Sequence, residues 1–374
     1  MSKKTKTSFL IILLALFTFL AGCTSAAKNE ATVHNRTDVA MKEEITEPDK
    51  AATKVNGKLV VSFINVGQGD CELLQLPTGQ NMLIDAGISE AGPAVVSYIK
   101  SLGIKKIDYI IATHPHADHI GGMELVVKSF PIGKIYMTRG TTTTETFKDL
   151  LQAIKASKMT INTAKAGVTV IDQNGLKISF LAPCGNSYEE LNNWSAVTKV
   201  QFGNTSFLLT GDAQELSENE MLKSGVNLQA DVLKVGHHGS YSSTSPAFLK
   251  AVDPKYAVLS VRQGNDYGHP HQVTLDKLSA TGGTVYRTDQ NGTVVITSDG
   301  KNLLVKAFGS SIQPRAPNLV VTPASTGGYI GNNSSKKFHR PTCSSLPASQ
   351  NRAYFKTREE AIKAGYVPCK ICNY

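Results

Sequence analysis

Along this chain, runs rich in β-branched residues alternate with amphipathic helical stretches, and that alternation predicts an α/β fold. Two observations sharpen it. A histidine-rich run directly follows one apolar strand, and a second compact stretch with its own Cys-x-x-Cys follows a gap rich in Pro, Ser, Thr and Gly. The expected architecture is an αββα sandwich, two mixed sheets under outer helices with inter-strand loops meeting at one edge, plus a small C-terminal module.

Lys3, Lys4 and Lys6 precede the apolar stretch 9–20, which is too short to span a bilayer comfortably and is laid out as a signal peptide over residues 1–22. Leu20-Ala21-Gly22-Cys23 resembles a bacterial lipobox. That resemblance implies cleavage before Cys23, a lipid on its sulfur, and an extracytoplasmic protein held at the membrane. Residues 23–55 lack apolar periodicity and read as a flexible linker.

The main domain is expected over 56–308. Strands are predicted at 59–66, 72–76, 82–85, 107–112, 177–181, 197–202, 206–209, 232–235, 257–261, 284–287, 293–298 and 302–305, with helices at 94–102 and 144–155. Residues 309–328 form a second linker. The module at 329–374 should hold one short helix, because Thr357 and Glu360 have capping-box spacing and Gly365 suits a helix end.

Thr113-His114-Pro115-His116-Ala117-Asp118-His119 places four ligand candidates in six residues after strand 107–112. His114 and His116 can take one ion, and Asp118 with His119 a second. Imidazole with carboxylate suits divalent zinc or manganese. Gly121-Gly122 allows a tight turn before a helix.

The spacing His-x-His-x-Asp-His resembles the signature of the metallo-β-lactamase fold. Three later matches extend the likeness. Leu83-Ile84-Asp85-Ala86-Gly87 resembles the strand whose Asp supports the metal loop. Leu208-Leu209-Thr210-Gly211-Asp212 resembles the segment whose Asp bridges both ions. Val235-Gly236-His237-His238-Gly239-Ser240 resembles the segment giving the last ligand, assigned to His237. Within that superfamily the chain is similar to the hydrolase domain of ComEC-type competence proteins, through Val66-Gly67-Gln68-Gly69-Asp70, Asn192-Asn193-Trp194-Ser195, His237-His238-Gly239-Ser240 and Tyr267-Gly268-His269-Pro270. Asn65 stands where those relatives usually carry Asp, and no His lies between His119 and Asp212, which leaves Asn193, Ser195 or water to complete the first ion's shell. The resemblance implies phosphodiester hydrolysis, most readily of DNA, by a hydroxide generated between two ions bridged by Asp212. Asp118, His238 and His269 are the catalytic candidates; the two histidines would hold the phosphate or protonate the leaving oxygen. Lys234, Asn193 and Ser195 are candidate substrate contacts.

In the tail, His339, Cys343, Cys369 and Cys372 have the spacing of a closed tetrahedral site for one structural zinc. Pro341, Cys343, Asn351, Phe355, Ala361, Gly365 and Pro368-Cys369-x-x-Cys372 resemble the metal-binding domain of Ada DNA-repair proteins, with His339 replacing one thiolate. Methyl transfer does not follow from that likeness. The remaining cysteines, Cys71 and Cys184, are expected to be buried thiols. The chain carries a formal charge of +9, and the tail concentrates it, with eight Lys and Arg against two Glu. A basic module suits DNA or another anionic phosphate polymer, through Lys336, Lys337, Arg340, Arg352, Lys356 and Arg358 with Tyr354 and Phe355; anionic lipid or wall polymer fits the same charge. Two other functions remain open: a surface phosphocholine or teichoic-acid esterase or lactonase, and a zinc-shaped adhesin for nucleic acid or wall polymer.

Overall fold

A computed structural model describes residues 57–309 and, in the tail, 329–340, 343, 346–347, 351–355 and 357–369. The expected signal peptide, Cys23, both linkers apart from their last or first described neighbours, Lys356 and Cys372 lie outside the described residues.

The chain builds the first sheet from β1 (Leu59–Phe63), β2 (Glu72–Gln75), β3 (Asn81–Ile84), β4 (Ile107–Ala112), β5 (Ile132–Met137) and β6 (Ile161–Thr163). It then lays down the second sheet as β7 (Thr169–Gln173), β8 (Leu176–Phe180), β9 (Thr198–Phe202), β10 (Thr205–Leu209), β11 (Val232–Lys234), β12 (Tyr256–Leu259) and β13 (Thr284–Arg287). Two last strands, β14 (Thr293–Ser298) and β15 (Leu303–Phe308), return to the first sheet, whose order is β15-β14-β1-β2-β3-β4-β5-β6. The second sheet runs β13-β12-β11-β10-β9-β8-β7.

Each sheet is half antiparallel and half parallel. Strands β3 to β6 are parallel in the first, and β10 to β13 in the second. Parallel strands end on one side of a sheet, where loops can converge on a ligand. That side is where the histidines fall.

Alternation along the strands sorts side chains between layers. In β4, Ile111 faces the other sheet beside Phe207, Leu209 and Val258, while Ile110 faces the helix layer. The outer layer on the first sheet is made by α1 (Gly92–Ser101), the short α2 (Ala117–Ile120), α3 (Met123–Ser129) and α4 (Glu145–Ala156), which bury Val95, Ile99, Val126, Leu150 and Ile154. On the second sheet α5 (Glu215–Ser224), α6 (Pro246–Val252) and α7 (Gln272–Ser279) bury Met221, Phe248 and Leu278. Each such fully buried apolar side chain stabilises the fold by roughly 1.5–3 kcal/mol. Thr144 and Ser245 cap α4 and α6 by accepting from the backbone N–H of Phe147 and Phe248.

Several expectations shift. The first strand stops at Phe63, because Asn65 starts a turn: its Oδ1 accepts from Gly67 N at 3.1 Å and its Nδ2 donates to Thr288 O at 3.0 Å. Asn65 is thus a buried structural clasp. Strands β5, β6 and β7 and helices α5, α6 and α7 were not anticipated. Cys184 is exposed rather than buried, its thiol donating to Leu181 O at 3.3 Å, whereas Cys71 is buried as expected.

The tail forms its own sheet of β16 (Tyr329–Asn332), β17 (Lys337–His339), β18 (Arg352–Phe355) and β19 (Val367–Pro368), in the order β18-β16-β17-β19. The expected short helix is Arg358–Lys363, and Thr357 Oγ1 accepts from Glu360 N at 3.2 Å. Its core is small: Phe338, Ala361 and Tyr366, with Tyr329, Ala353 and Phe355 against them. Among the described residues that core is small, and a metal held by His339, Cys343 and Cys369 would add a further tie. Among the described residues, no helix is long and apolar enough to cross a membrane.

Candidate metal centre

Three backbone segments interlock beneath the histidine run. Asp70 N donates to Asp118 O at 3.1 Å, Ala86 N to His119 O at 2.7 Å, and Gly87 N to Asp70 O at 2.8 Å. Gly69 makes the first of these possible, since a Cβ there would stand 2.2 Å from Asp118 O, and its φ of +133° is open to glycine.

Asp85, at the end of β3, is fully buried and organises the loop. Its Oδ1 accepts from Thr113 N at 2.9 Å; its Oδ2 accepts from Thr113 Oγ1 at 2.6 Å and from His119 Nδ1 at 2.7 Å. Asp85 therefore holds the Nδ1 edge of His119 and turns Nε2 inward, the arrangement by which carboxylates fix metal-binding histidines. His114 does the same through Thr113: its Nδ1 donates to Oγ1 at 3.1 Å, leaving Nε2 2.9 Å from His116 Nδ1.

Asp212 follows β10 and sits among these rings. Its Oδ2 lies 3.2 Å from His119 Nε2, 3.5 Å from His238 Nε2, 3.8 Å from His237 Nε2 and 3.9 Å from His114 Nε2. The backbone of Asp212 is held by Ser195, whose Oγ accepts from Asp212 N at 3.0 Å. After β11, His237 and His238 both adopt left-handed backbone angles, φ +49° and +53°. Consecutive non-glycine residues in that region are strained, and such strain gathers at sites of function. It brings His238 into the centre: Nδ1 donates to Ser260 O at 2.9 Å, and Nε2 faces Asp118 Oδ2 at 3.2 Å.

Asp118, His119, Asp212 and His238 thus offer four donor atoms all within 4.8 Å of one another. His119 Nε2, His238 Nε2 and Asp212 Oδ1 are buried without a hydrogen-bond partner. Buried polar atoms are costly to leave so, and two imidazoles with two carboxylates fit a borderline divalent cation. Charge agrees. Burial would lower the His119 pKa, but the carboxylates of Asp212, Asp118 and Asp85 raise it well above the ordinary value. His238 behaves alike: burial opposes, Asp212 and Asp70 prevail. Burial would raise Asp118 and Asp212, yet His119 and His238 hold both below the usual carboxylate range. The site attracts positive charge.

The last histidine of that four-donor group is His238 rather than the expected His237, which is partly exposed and bonds through Nδ1 to Ser242 Oγ at 3.1 Å. His238 is only 1% exposed. His269 ends 5.3 Å from the His237 ring, and burial followed by His237, His238 and His271 pushes its pKa down to about 3. Of the two roles expected for His269, a lowered pKa suits holding a phosphate oxygen by hydrogen bonding. Lys234 is no substrate contact: it is fully buried, with Nζ 2.8 Å from Asp70 Oδ2 and donating to Val235 O at 2.9 Å. Burial would lower its pKa, and Asp70, Glu72 and Asp212 raise it. Asn193 and Ser195 are likewise buried: Asn193 Oδ1 accepts from Gln214 N and Ser217 N at 3.3 and 3.4 Å, and Ser195 braces Asp212. Neither is a substrate contact. Asp70, whose Oδ1 lies 3.3 Å from His238 Nδ1, is the supporting residue the sequence reading left without a role.

In the tail, His339, Cys343 and Cys369 bring one donor atom each within 4.8 Å of the others, with His339 Nδ1 3.3 Å from Cys343 Sγ. Cys372, the expected fourth ligand, lies outside the described residues. Phe355 packs into the module's core, whereas Tyr354 is 71% exposed.

Residues 323–373 match the model of the metal-binding domain of Ada. ComE operon protein 3 of Bacillus subtilis (strain 168) is 33% identical over 251 residues, covering 63% of this chain and 32% of that protein. Competence protein ComA of Neisseria gonorrhoeae is 30% identical over 234 residues, covering 62% and 31%. Recombination protein 2 of Haemophilus influenzae (strain ATCC 51907 / DSM 11121 / KW20 / Rd) is 28% identical over 259 residues, covering 68% and 31%. The chain thus spans about a third of the length of these relatives. With the four-donor group at the strand ends of a two-sheet sandwich, and with the metallo-beta-lactamase superfamily model matching residues 64–263, the chain belongs to that superfamily and has the fold of a metal-dependent hydrolase.

Proposed function

We propose that the protein is an extracytoplasmic phosphodiesterase, held at the membrane through a lipid on Cys23, that hydrolyses DNA. The observation that carries the chemistry is the Asp212 carboxylate, approached within 3.9 Å by four histidine nitrogens, which would let Asp212 help hold two cations. Asp118, His119 and His238 would hold one ion with Asp212, and His114 and His116 the other. His237, 3.8 Å from the same oxygen, is better placed than Asn193 or Ser195 to complete that second set. Bound zinc or manganese lowers the pKa of coordinated water toward neutrality and neutralises phosphodiester oxygens during in-line attack. The chain's own part is to fix the geometry. Asp85 and the Ser260 carbonyl hold the His119 and His238 rings, Ser195 holds the Asp212 backbone, and the neutral His269 offers a hydrogen bond to a phosphate oxygen.

DNA is favoured because the aligned region is the part shared with proteins named for competence and recombination. The basic tail suits a phosphate polymer. The test is cleavage of fluorescent single- and double-stranded DNA with zinc, manganese or magnesium, beside Asp118→Ala and His119→Ala. Both variants are expected to abolish cleavage and still bind DNA. Full activity in either would sink the reading, and turnover of phosphocholine esters or lactones without DNA cleavage would move it to a surface esterase.

A further inference from the structure

Among the described residues, the exposed aromatic side chains are Tyr241, Tyr267 and Tyr354, and the first two stand beside the metal centre. Tyr241 is 67% exposed and Tyr267 65%. They are joined to the centre by a continuous array of rings. Tyr241 lies 5.1 Å from His271, His271 4.9 Å from His269, and Tyr267 stacks on His269 at 5.6 Å with 22° between planes. His269 in turn lies 5.3 Å from His237, next in sequence to His238 of the four-donor group.

Both tyrosines are held in place by their backbones. Asn265 Oδ1 accepts from Tyr267 N at 3.1 Å and His269 N at 3.0 Å, and Asn265 Nδ2 donates to Arg262 O at 2.9 Å. The second loop is tied to the first: Tyr241 N donates to His271 Nδ1 at 3.1 Å, and His271 N to Gly239 O at 3.0 Å. Two tyrosines in braced loops, joined through His271 and His269 to the metal centre, offer exposed aromatic faces on which a base can stack. Arg262, half exposed on the same loop, has Nη2 4.0 Å from Asp266 Oδ2, an exposed pairing that a phosphate could replace.

We infer that Tyr241 and Tyr267 are stacking platforms for two nucleobases of a single-stranded nucleic acid whose backbone crosses the metal centre. This rests on the phosphodiesterase reading and adds the substrate's form. Bases in a duplex already stack on one another and offer no free face, whereas unpaired bases stack on tyrosine regardless of sequence. A small phosphoester has no use for two separated rings.

The test compares a fluorescein-labelled single-stranded oligonucleotide with one of equal length that is abasic throughout, so that phosphate charge and its attraction to the basic tail cancel. Binding to the full chain is read by fluorescence anisotropy without added divalent ion, and KM and kcat are read with manganese. The intact protein should favour the base-bearing strand by at least about tenfold. Tyr241→Ala/Tyr267→Ala should bind the two strands alike and raise KM far more than it lowers kcat, and Tyr241→Phe/Tyr267→Phe, which keeps both rings, should restore the preference. Equal binding of both strands by the intact protein, or a preference that survives the alanine pair, overturns the inference. Cleavage of DNA without base preference would do so while leaving the phosphodiesterase reading standing; failure to bind or cleave either strand would remove both.

Discussion

Asp70, Lys234 and Glu72 form a fully enclosed charged group behind the metal ligands, and its balance depends on the lysine. Lys234 Nζ is 2.8 Å from Asp70, which in turn touches His238 at 3.3 Å. Burial, then the Asp70 charge, raises the Glu72 pKa well above the ordinary value even with Lys234 nearby. Removing one partner of a buried pair strands the other charge, at a cost of about 3–5 kcal/mol. Lys234→Met should therefore lower stability to denaturant by that order, and Lys234→Met/Asp70→Asn should recover part of it; an unchanged midpoint for the single variant would refute the pairing. The metal ligands themselves predict a pH dependence. Neighbouring carboxylates raise the pKa values of His119 and His238 in the ion-free protein, so protons compete with an ion for these rings. Affinity should rise with pH, by up to roughly a hundredfold per unit for two protons, and level off above the raised values. Ion-free stability has the opposite sign: a raised folded pKa stabilises fully below the unfolded value of about 6.5 and is lost as pH rises through the folded one. Asp212, with a depressed pKa, adds stability above about 3.9 that is lost as pH falls through its folded value. Thermal unfolding with and without chelator across this range reads both signs, and a metal affinity flat between about pH 6 and 8 would contradict the protonation scheme.

At the scale of elements, the site depends on glycines that let strands' ends approach, and one of them gives a direct test. Gly69→Ala would set a Cβ 2.2 Å from Asp118 O, backbone against backbone, with φ at +133°. Asp118 should be displaced while the distant sheet core is untouched, so metal affinity should fall at least about tenfold with modest loss of far-ultraviolet signal. Equal affinity in the variant would show that the loop yields freely. These elements also mark what the sequence made legible. The histidine run after β4, Asp212 after β10 and the tail helix with its Thr357 cap were readable because each couples a local backbone signal to a side-chain pattern. Strand β5 was not, since Gly133 and exposed Lys134 interrupt its apolar run. That His238 joins His237 around Asp212 was not legible, because two successive left-handed residues turn the chain in a way that ligand spacing does not encode. Lys234 read as a substrate contact, yet β11 is buried along its whole length and its partner Asp70 is distant in sequence.

Across the whole molecule, charge is divided between an electronegative pocket that draws cations and a tail that carries the basic excess. On the proposed phosphodiesterase reading, ions would act at the scissile phosphate, and lysine and arginine along the rest of the polymer. Within the tail the roles separate further. Lys336 lies 4.8 Å from the Tyr366 ring, and Arg352 donates to Pro347 O at 2.7 Å, so both also brace the module. Lys337 and Lys363 are exposed, and among the described residues no hydrogen bond or ion pair ties either side chain to the module, which makes them the cleaner probes of polymer binding. Each phosphate contact releases counterions, so the logarithm of affinity should fall with the logarithm of salt by about one unit of slope per contact. Lys337→Ala and Lys363→Ala should each reduce the slope for DNA by about one and weaken binding evenly across sequences, leaving kcat at saturating substrate unchanged. A slope that does not move in either variant would detach those two side chains from the polymer. A slope that moves equally for DNA and for anionic vesicles would instead make the tail a general anion-binding surface, with the choice of substrate left to the metal centre.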